Sequence, residues 1–144
     1  MKKFLLPILA CFLLFTSCTE KARIVTSYYT VHNDQWRQSN NPNIDGNYFY
    51  SVWENIDITP DVIERGVVMV YYIDADGRDN ILPFTQYLMG TDGSGNTVYY
   101  QERLEYDIEV GKITFKIKDT DFGTDLSMQN IGEMNFKVCV IYNS

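Results

Sequence analysis

Histidine is the side chain that most often moves protons near neutral pH, and this chain of 144 residues has one, His32. A lone histidine cannot build a zinc site of the His-rich kind, and Cys18 and Cys139 are poorly placed to complete one. As the base of a Ser-His-Asp arrangement it needs a nucleophile presented on a sharp turn, and no G-x-S-x-G sequence accompanies it. His32 therefore reads as a hydrogen-bonding residue at a strand end, and no catalytic residue is assigned.

Carboxylates are more plentiful, with nineteen Asp and Glu. Two of them can hydrolyse a glycoside where a cleft holds the sugar and raises one pKa. Glu102, Glu105, Asp107 and Glu109 share one strand-like run in which odd and even positions face opposite ways, and most of them read as solvated. Asp74, Asp76 and Asp79 in "DADGRD" form a weak calcium candidate. Calcium takes six to eight oxygens, but the twelve-residue loop with its terminal Glu is missing here. Asp and Gly also favour tight turns for conformational reasons alone, and "DTDFGTD" at 119–125 carries the same two readings. No cofactor is implied.

Aromatic rings offer a third chemistry. The chain has 2 Trp, 11 Tyr and 8 Phe, and flat rings can stack on pyranose faces. Trp36, Trp53, Tyr99 and Tyr100 are the candidate ligand-binding residues, with Tyr48 and Tyr50 beside them. The competing reading is structural, since aromatic residues favour strands and pair across them for about 0.2–1 kcal/mol each. In Tyr28-Tyr29, Tyr71-Tyr72 and Tyr99-Tyr100, successive rings must point to opposite faces. Some tyrosines therefore lie outside the core face unless both faces are covered.

The elements that position these residues are almost all strands. "IVTSYYTVH" (24–32) is β-branched and aromatic; "NDQWRQSNNPNIDGN" (33–47) is a loop around Trp36; "YFYSVWENIDI" (48–58) is a second strand. In "TPDVIERG" (59–66), Thr59 suits an N-cap, Pro60 the first helical position and Gly66 a left-handed C-terminal residue, so one helical turn is expected near 60–65. "VVMVYYI" (67–73) is continuously apolar, as in a strand that is buried on both faces or central in a sheet. After the turn "DADGRDN" (74–80), "ILPFTQYLM" (81–89) reads as a strand with Pro83 marking an edge or bulge. A second glycine-rich turn (90–96) leads to "TVYYQERLEYDIE" (97–109), which pairs through Val110-Gly111 with "KITFKIKD" (112–119). There Ile113, Phe115 and Ile117 alternate with polar residues. A loop (120–132), in which a short helical turn is weakly signalled, precedes the final strand, "EMNFKVCVIYN" (133–143). The expectation is an all-β fold: an antiparallel β-sandwich of about seven strands. It is immunoglobulin-like in architecture only, because the Cys…Trp…Cys signature is absent.

The first twenty residues carry a different message. Lys2 and Lys3 precede an apolar run from Phe4 to Phe15 that is shorter than the roughly 20 residues a membrane span needs; this is the layout of a secretory signal peptide. The run ends in Thr16-Ser17-Cys18, which resembles the cleavage site of bacterial lipoproteins, with Ser17 at the small position and Phe15 where Leu is usual. The resemblance implies lipidation of Cys18. It divides the chain into a signal peptide (1–17), a tether (18–23) and a single domain (24–144).

Removing residues 1–17 leaves 127, enough for one domain that buries roughly two-thirds of its unfolded surface. Cys11 departs with the signal and Cys18 takes the lipid, so Cys139 is left as an apolar filler in a chain that needs no disulfide. Loss of Lys2 and Lys3 takes the formal charge from −7 to about −9, a surface that repels phosphate backbones and argues against nucleic acid as a partner.

The order "DITPDVIERGVVMVYYI", "ILPFTQYL", an alternating strand and a terminal "FKVCVIY" resembles small uncharacterised lipoproteins of Bacteroidetes-type bacteria. The resemblance implies a compact β-sandwich and a place in the cell envelope, and it brings no activity or catalytic residues. Together these readings lead to a non-enzymatic lipoprotein of the outer membrane, facing either the periplasm or the surface, that binds an envelope protein or glycan. The alternatives are an assembly subunit acting through strand-edge pairing and a small carbohydrate-active hydrolase.

Overall fold

The structure, a computed structural model, describes residues 21–39, 48–91, 94–119 and 131–143. Two antiparallel sheets face each other. The first contains β1 (Ala22–Val31), β4 (Val67–Ile73), β5 (Asp79–Ile81) and β9 (Met134–Asn143), in the order β1-β9-β4-β5. The second contains β2 (Arg37–Gln38), β3 (Tyr48–Glu54), β6 (Phe84–Thr91), β7 (Thr97–Glu109) and β8 (Lys112–Asp119), in the order β2-β3-β8-β7-β6. Seven of these strands have seven or more residues, and β2 and β5 are short additions. The fold is the expected all-β antiparallel sandwich.

Period-two alternation builds the core. Ile113, Phe115 and Ile117 of β8 meet Phe136, Val138 and Val140 of β9, all buried. These two strands hold interior places in their sheets, and β1 and β4 flank β9 in register.

Local chemistry explains where β3 ends. Its run was expected to reach residue 58, but it stops at Glu54 because Asn55 turns the chain. The Asn55 side chain accepts from the Asp57 N–H, and its carbonyl accepts from the Ile58 N–H. The helical turn lies at its expected place as α1 (Pro60–Arg65), with Thr59 Oγ1 accepting from the Val62 N–H at 3.3 Å and Pro60 opening the first turn. Gly66 departs from expectation. Its φ of −95° is not left-handed. A Cβ there would instead lie 2.8 Å from both the Ile141 and Val62 carbonyl oxygens, so the residue is small because α1 packs tightly onto β9.

The run 81–89, expected as one strand, is divided at Leu82-Pro83, whose peptide bond is cis. Residues before it pair with β4 in the first sheet, and residues after it pair with β7 in the second. Pro83 therefore precedes an outermost strand, in keeping with an edge position. The continuously apolar β4 is interior to its sheet but covered on one face only: Val70 is buried, whereas Val67 is exposed. Cys18, the segment 1–17 and the possible helical turn in 120–132 (apart from residues 131 and 132) lie outside the described residues. No described helix is long and apolar enough to cross a membrane.

Candidate functional site

β6 and β7 form a hairpin at one side of the second sheet, with β6 outermost among the described strands. The register pairs Leu88 with Tyr100 and Met89 with Tyr99. Even positions of β7 turn inward with Leu104, so Tyr100 and Glu102 share the inner side and Tyr99 the outer. Tyr87, Met89 and Tyr99 consequently lie together on the outer face, each between 69% and 79% exposed. They form an aromatic and apolar patch across the two strands, and β6 (Phe84–Thr91) contains no charged residue.

Further along, the same face is ionic. Glu105 bridges Arg103 at 2.8 Å and Lys118 at 3.1 Å, and Lys116 pairs with Asp107. Lys116 also lies 5.2 Å from the centroid of the Tyr48 ring, which leans toward Tyr50. Three of the four carboxylates on β7 face outward: Asp107 and Glu109 are exposed, and Glu105 is half-buried between its two cationic partners. Glu102 is the exception: it is buried on the inner side and accepts from Gln86 Nε2. Parity with Leu104 and Ile108 is the sequence signal that separates it from Glu105 and Asp107. Its charge, after burial itself, helps hold the Tyr72 hydroxyl above the ordinary tyrosine range.

The other candidates disperse. Trp36 is a core residue, its ring edge-on to Phe136 at 6.4 Å, so it offers no face to a surface ligand. Trp53 is half-buried against Tyr29 and donates its Nε1–H to Ser51 Oγ at 2.9 Å. Tyr100 is half-buried. Of the four rings singled out, Tyr99 alone stands open on the surface. His32 sits at the end of β1, with Nδ1 2.9 Å from Glu133 Oε2 and its backbone N–H donated to Gln35.

The three aspartates of the calcium candidate do not converge. Asp74 Oδ1 accepts from the Asp76 and Arg78 backbone N–H groups, and its Oδ2 accepts from Asn80. Asp76 pairs with Arg78 and Asp79 with Lys137. The hydrogen bond from the Arg78 backbone is the first cause holding Asp74 below the usual carboxylate range. Among the described residues, no group of three His, Cys, Asp or Glu could hold a metal ion. The turn is centred on Asp74, and the Asp76 and Asp79 carboxylates are each directed to a cation of their own rather than to a shared point.

No family model, curated protein or solved structure matches the chain.

Proposed function

We propose that the protein is a non-enzymatic module of the cell envelope, anchored at the outer membrane through a lipidated Cys18. In this reading it binds an envelope protein or glycan through the outer face of the β6–β7 hairpin. The single observation that carries the binding surface is the exposure of Tyr87, Met89 and Tyr99 side by side, where flat rings meet solvent without a covering charge. The anchor rests on the sequence of residues 1–20 and its resemblance to bacterial lipoproteins. The non-catalytic reading is supported by the scatter of reactive groups: His32 is at the surface on Glu133, and Glu102 is held inside by Gln86.

Two measurements test this reading. Cell fractionation should move Cys18→Ala from membranes to the soluble envelope fraction; continued sedimentation with membranes removes the anchor. Screening the protein against glycans and envelope extracts should give a retained ligand whose affinity falls at least tenfold in Tyr87→Ala/Tyr99→Ala. Equal retention by the double variant removes the hairpin face.

A second reading, assembly through strand-edge pairing, is favoured by β6 itself. Outermost among the described strands of its sheet, β6 has eight residues with neither charge nor proline, two devices that commonly block pairing with another chain. Concentration-dependent association that Met89→Lys abolishes would support it, and a monomer at every concentration would exclude it.

A further inference from the structure

The outer face of the first sheet differs in kind from that of the second. The pairing register sets its side chains in rows across the strands. Ile24, Ile141 and Val67 form one row, and Thr26, Cys139 and Met69 the next. Tyr28, Lys137, Tyr71 and Ile81 form the third. Ile24, Tyr28, Val67 and Ile81, which reach from one edge of the sheet to the other, are between 53% and 70% exposed. The charges in these rows and at Asp79 beside them cancel: Lys137 pairs with Asp79 and lies 4.5 Å from the centroid of the Tyr71 ring. Among the described residues of a chain of net charge −7, these three mostly apolar rows thus hold one charged side chain, Lys137, and it is paired.

The length of chain ahead of β1 decides what this face meets. Only Thr19, Glu20 and Lys21 separate Cys18 from Ala22, the first residue of β1. Fully extended, four residue steps span at most about 14 Å. A domain of this size is roughly 35 Å across. A leash so much shorter than the domain is wide brings one side of it against the headgroups. β1 is outermost among the described strands of the first sheet, so the leash leaves beside the row Ile24–Ile141–Val67. Acidic surfaces are disfavoured against an anionic bilayer, whereas a mostly apolar face with tyrosine at its centre suits the interface between headgroups and acyl chains.

We infer that the protein docks on the phospholipid bilayer that anchors it through the outer face of the β1-β9-β4-β5 sheet, with Ile24, Tyr28, Val67 and Ile81 at the lipid interface. This rests on the proposed Cys18 anchor. It leaves the opposite face, with Tyr87 and Tyr99, directed away from the membrane.

The test uses the full-length, processed protein reconstituted in phosphatidylcholine–phosphatidylglycerol vesicles with brominated acyl chains. Tryptophan replaces an exposed residue in three variants: Tyr28→Trp and Ile81→Trp on the docking face, and Tyr87→Trp on the opposite face. Melting temperatures equal to wild type establish that each variant is folded. The emission added by Tyr28→Trp and Ile81→Trp should fall by at least half relative to unbrominated vesicles, while that added by Tyr87→Trp stays unchanged. Full emission from all three variants in vesicles that still carry the protein overturns the docking and leaves the anchor standing. Full emission together with chemical cross-linking between Tyr28→Cys copies overturns it in favour of a dimer through this face. Failure of the protein to sediment with vesicles removes the anchor, and the docking with it.

Discussion

Phe115 of β8 and Phe136 of β9 stack across the two sheets, with ring centroids 4.1 Å apart and planes within 9° of parallel. Tyr29 packs edge-on against Phe115 at 5.6 Å, and Trp36 and Tyr72 flank Phe136 at 6.4 and 6.0 Å. The pair joins the central strands of both sheets, so each ring's packing depends on the other. Phe115→Ala should cost about 3–5 kcal/mol of unfolding free energy. A denaturant-melt cycle with Phe136→Ala should show strong coupling, because the first truncation already empties part of the space that the second ring fills.

Gly66 is small for reasons of packing rather than backbone angle. Alanine there would press a methyl group onto the Val62 and Ile141 carbonyls, both backbone atoms that cannot swing aside. Gly66→Ala should destabilise by about 1–3 kcal/mol. Gly132, whose added Cβ meets nothing within 4 Å, supplies the control. Equal melting temperatures for the two alanine variants would refute the steric account.

Tyr106 ties the sheets together by donating its hydroxyl to the Val68 carbonyl at 3.0 Å. Tyr106→Phe should lower stability by about 1 kcal/mol, read from the denaturation midpoint. Burial also pushes the Tyr106 hydroxyl above its ordinary pKa of 10.0, as it does Tyr29 and Tyr72. A group that resists deprotonation when folded favours the native state below its unfolded pKa. That advantage is lost once the unfolded chain begins to ionise. Stability should therefore decline as pH rises past 10, and less steeply in Tyr106→Phe; parallel alkaline profiles would show that Tyr106 contributes nothing.

Asp74 behaves in the opposite sense. Its carboxylate accepts the Arg78 and Asp76 N–H groups and its pKa is lowered from 3.8. Stability from this turn is present above the ordinary carboxylate pKa and lost as pH falls through the lower, folded value. Wild type should melt above Asp74→Ala at neutral pH, and the gap should narrow as pH falls below the ordinary carboxylate range. A gap that is unchanged by acid would place the turn's stability elsewhere.

Several elements were legible because their causes are local. Thr59 and Pro60 mark the start of α1 within a few residues, and the alternation of Ile113, Phe115 and Ile117 assigns the inner face of β8 unaided. The two-residue link at Val110-Gly111 needs a glycine with φ of 75°, and the sequence supplies one. Glu102 was half-legible. Its parity with Leu104 points inward, but a carboxylate becomes buried only if something covers it, and that cover comes from elsewhere in the chain.

The division of labour follows from the range of each interaction. By itself the sequence determined strand, turn and helix propensities, the alternation that gives each strand two unlike faces, the net acidity and the cysteine at position 18. Those depend on neighbours within a few residues. The tertiary structure decided that Trp36 belongs to the core, that the run 81–89 is shared between two sheets, and that Tyr99 meets Met89 at the surface. It also decided that Ile24, Tyr28, Val67 and Ile81, up to 57 positions apart in sequence, share one exposed face. Burial is a property of two surfaces meeting, and no single strand carries the information about which surface it will meet.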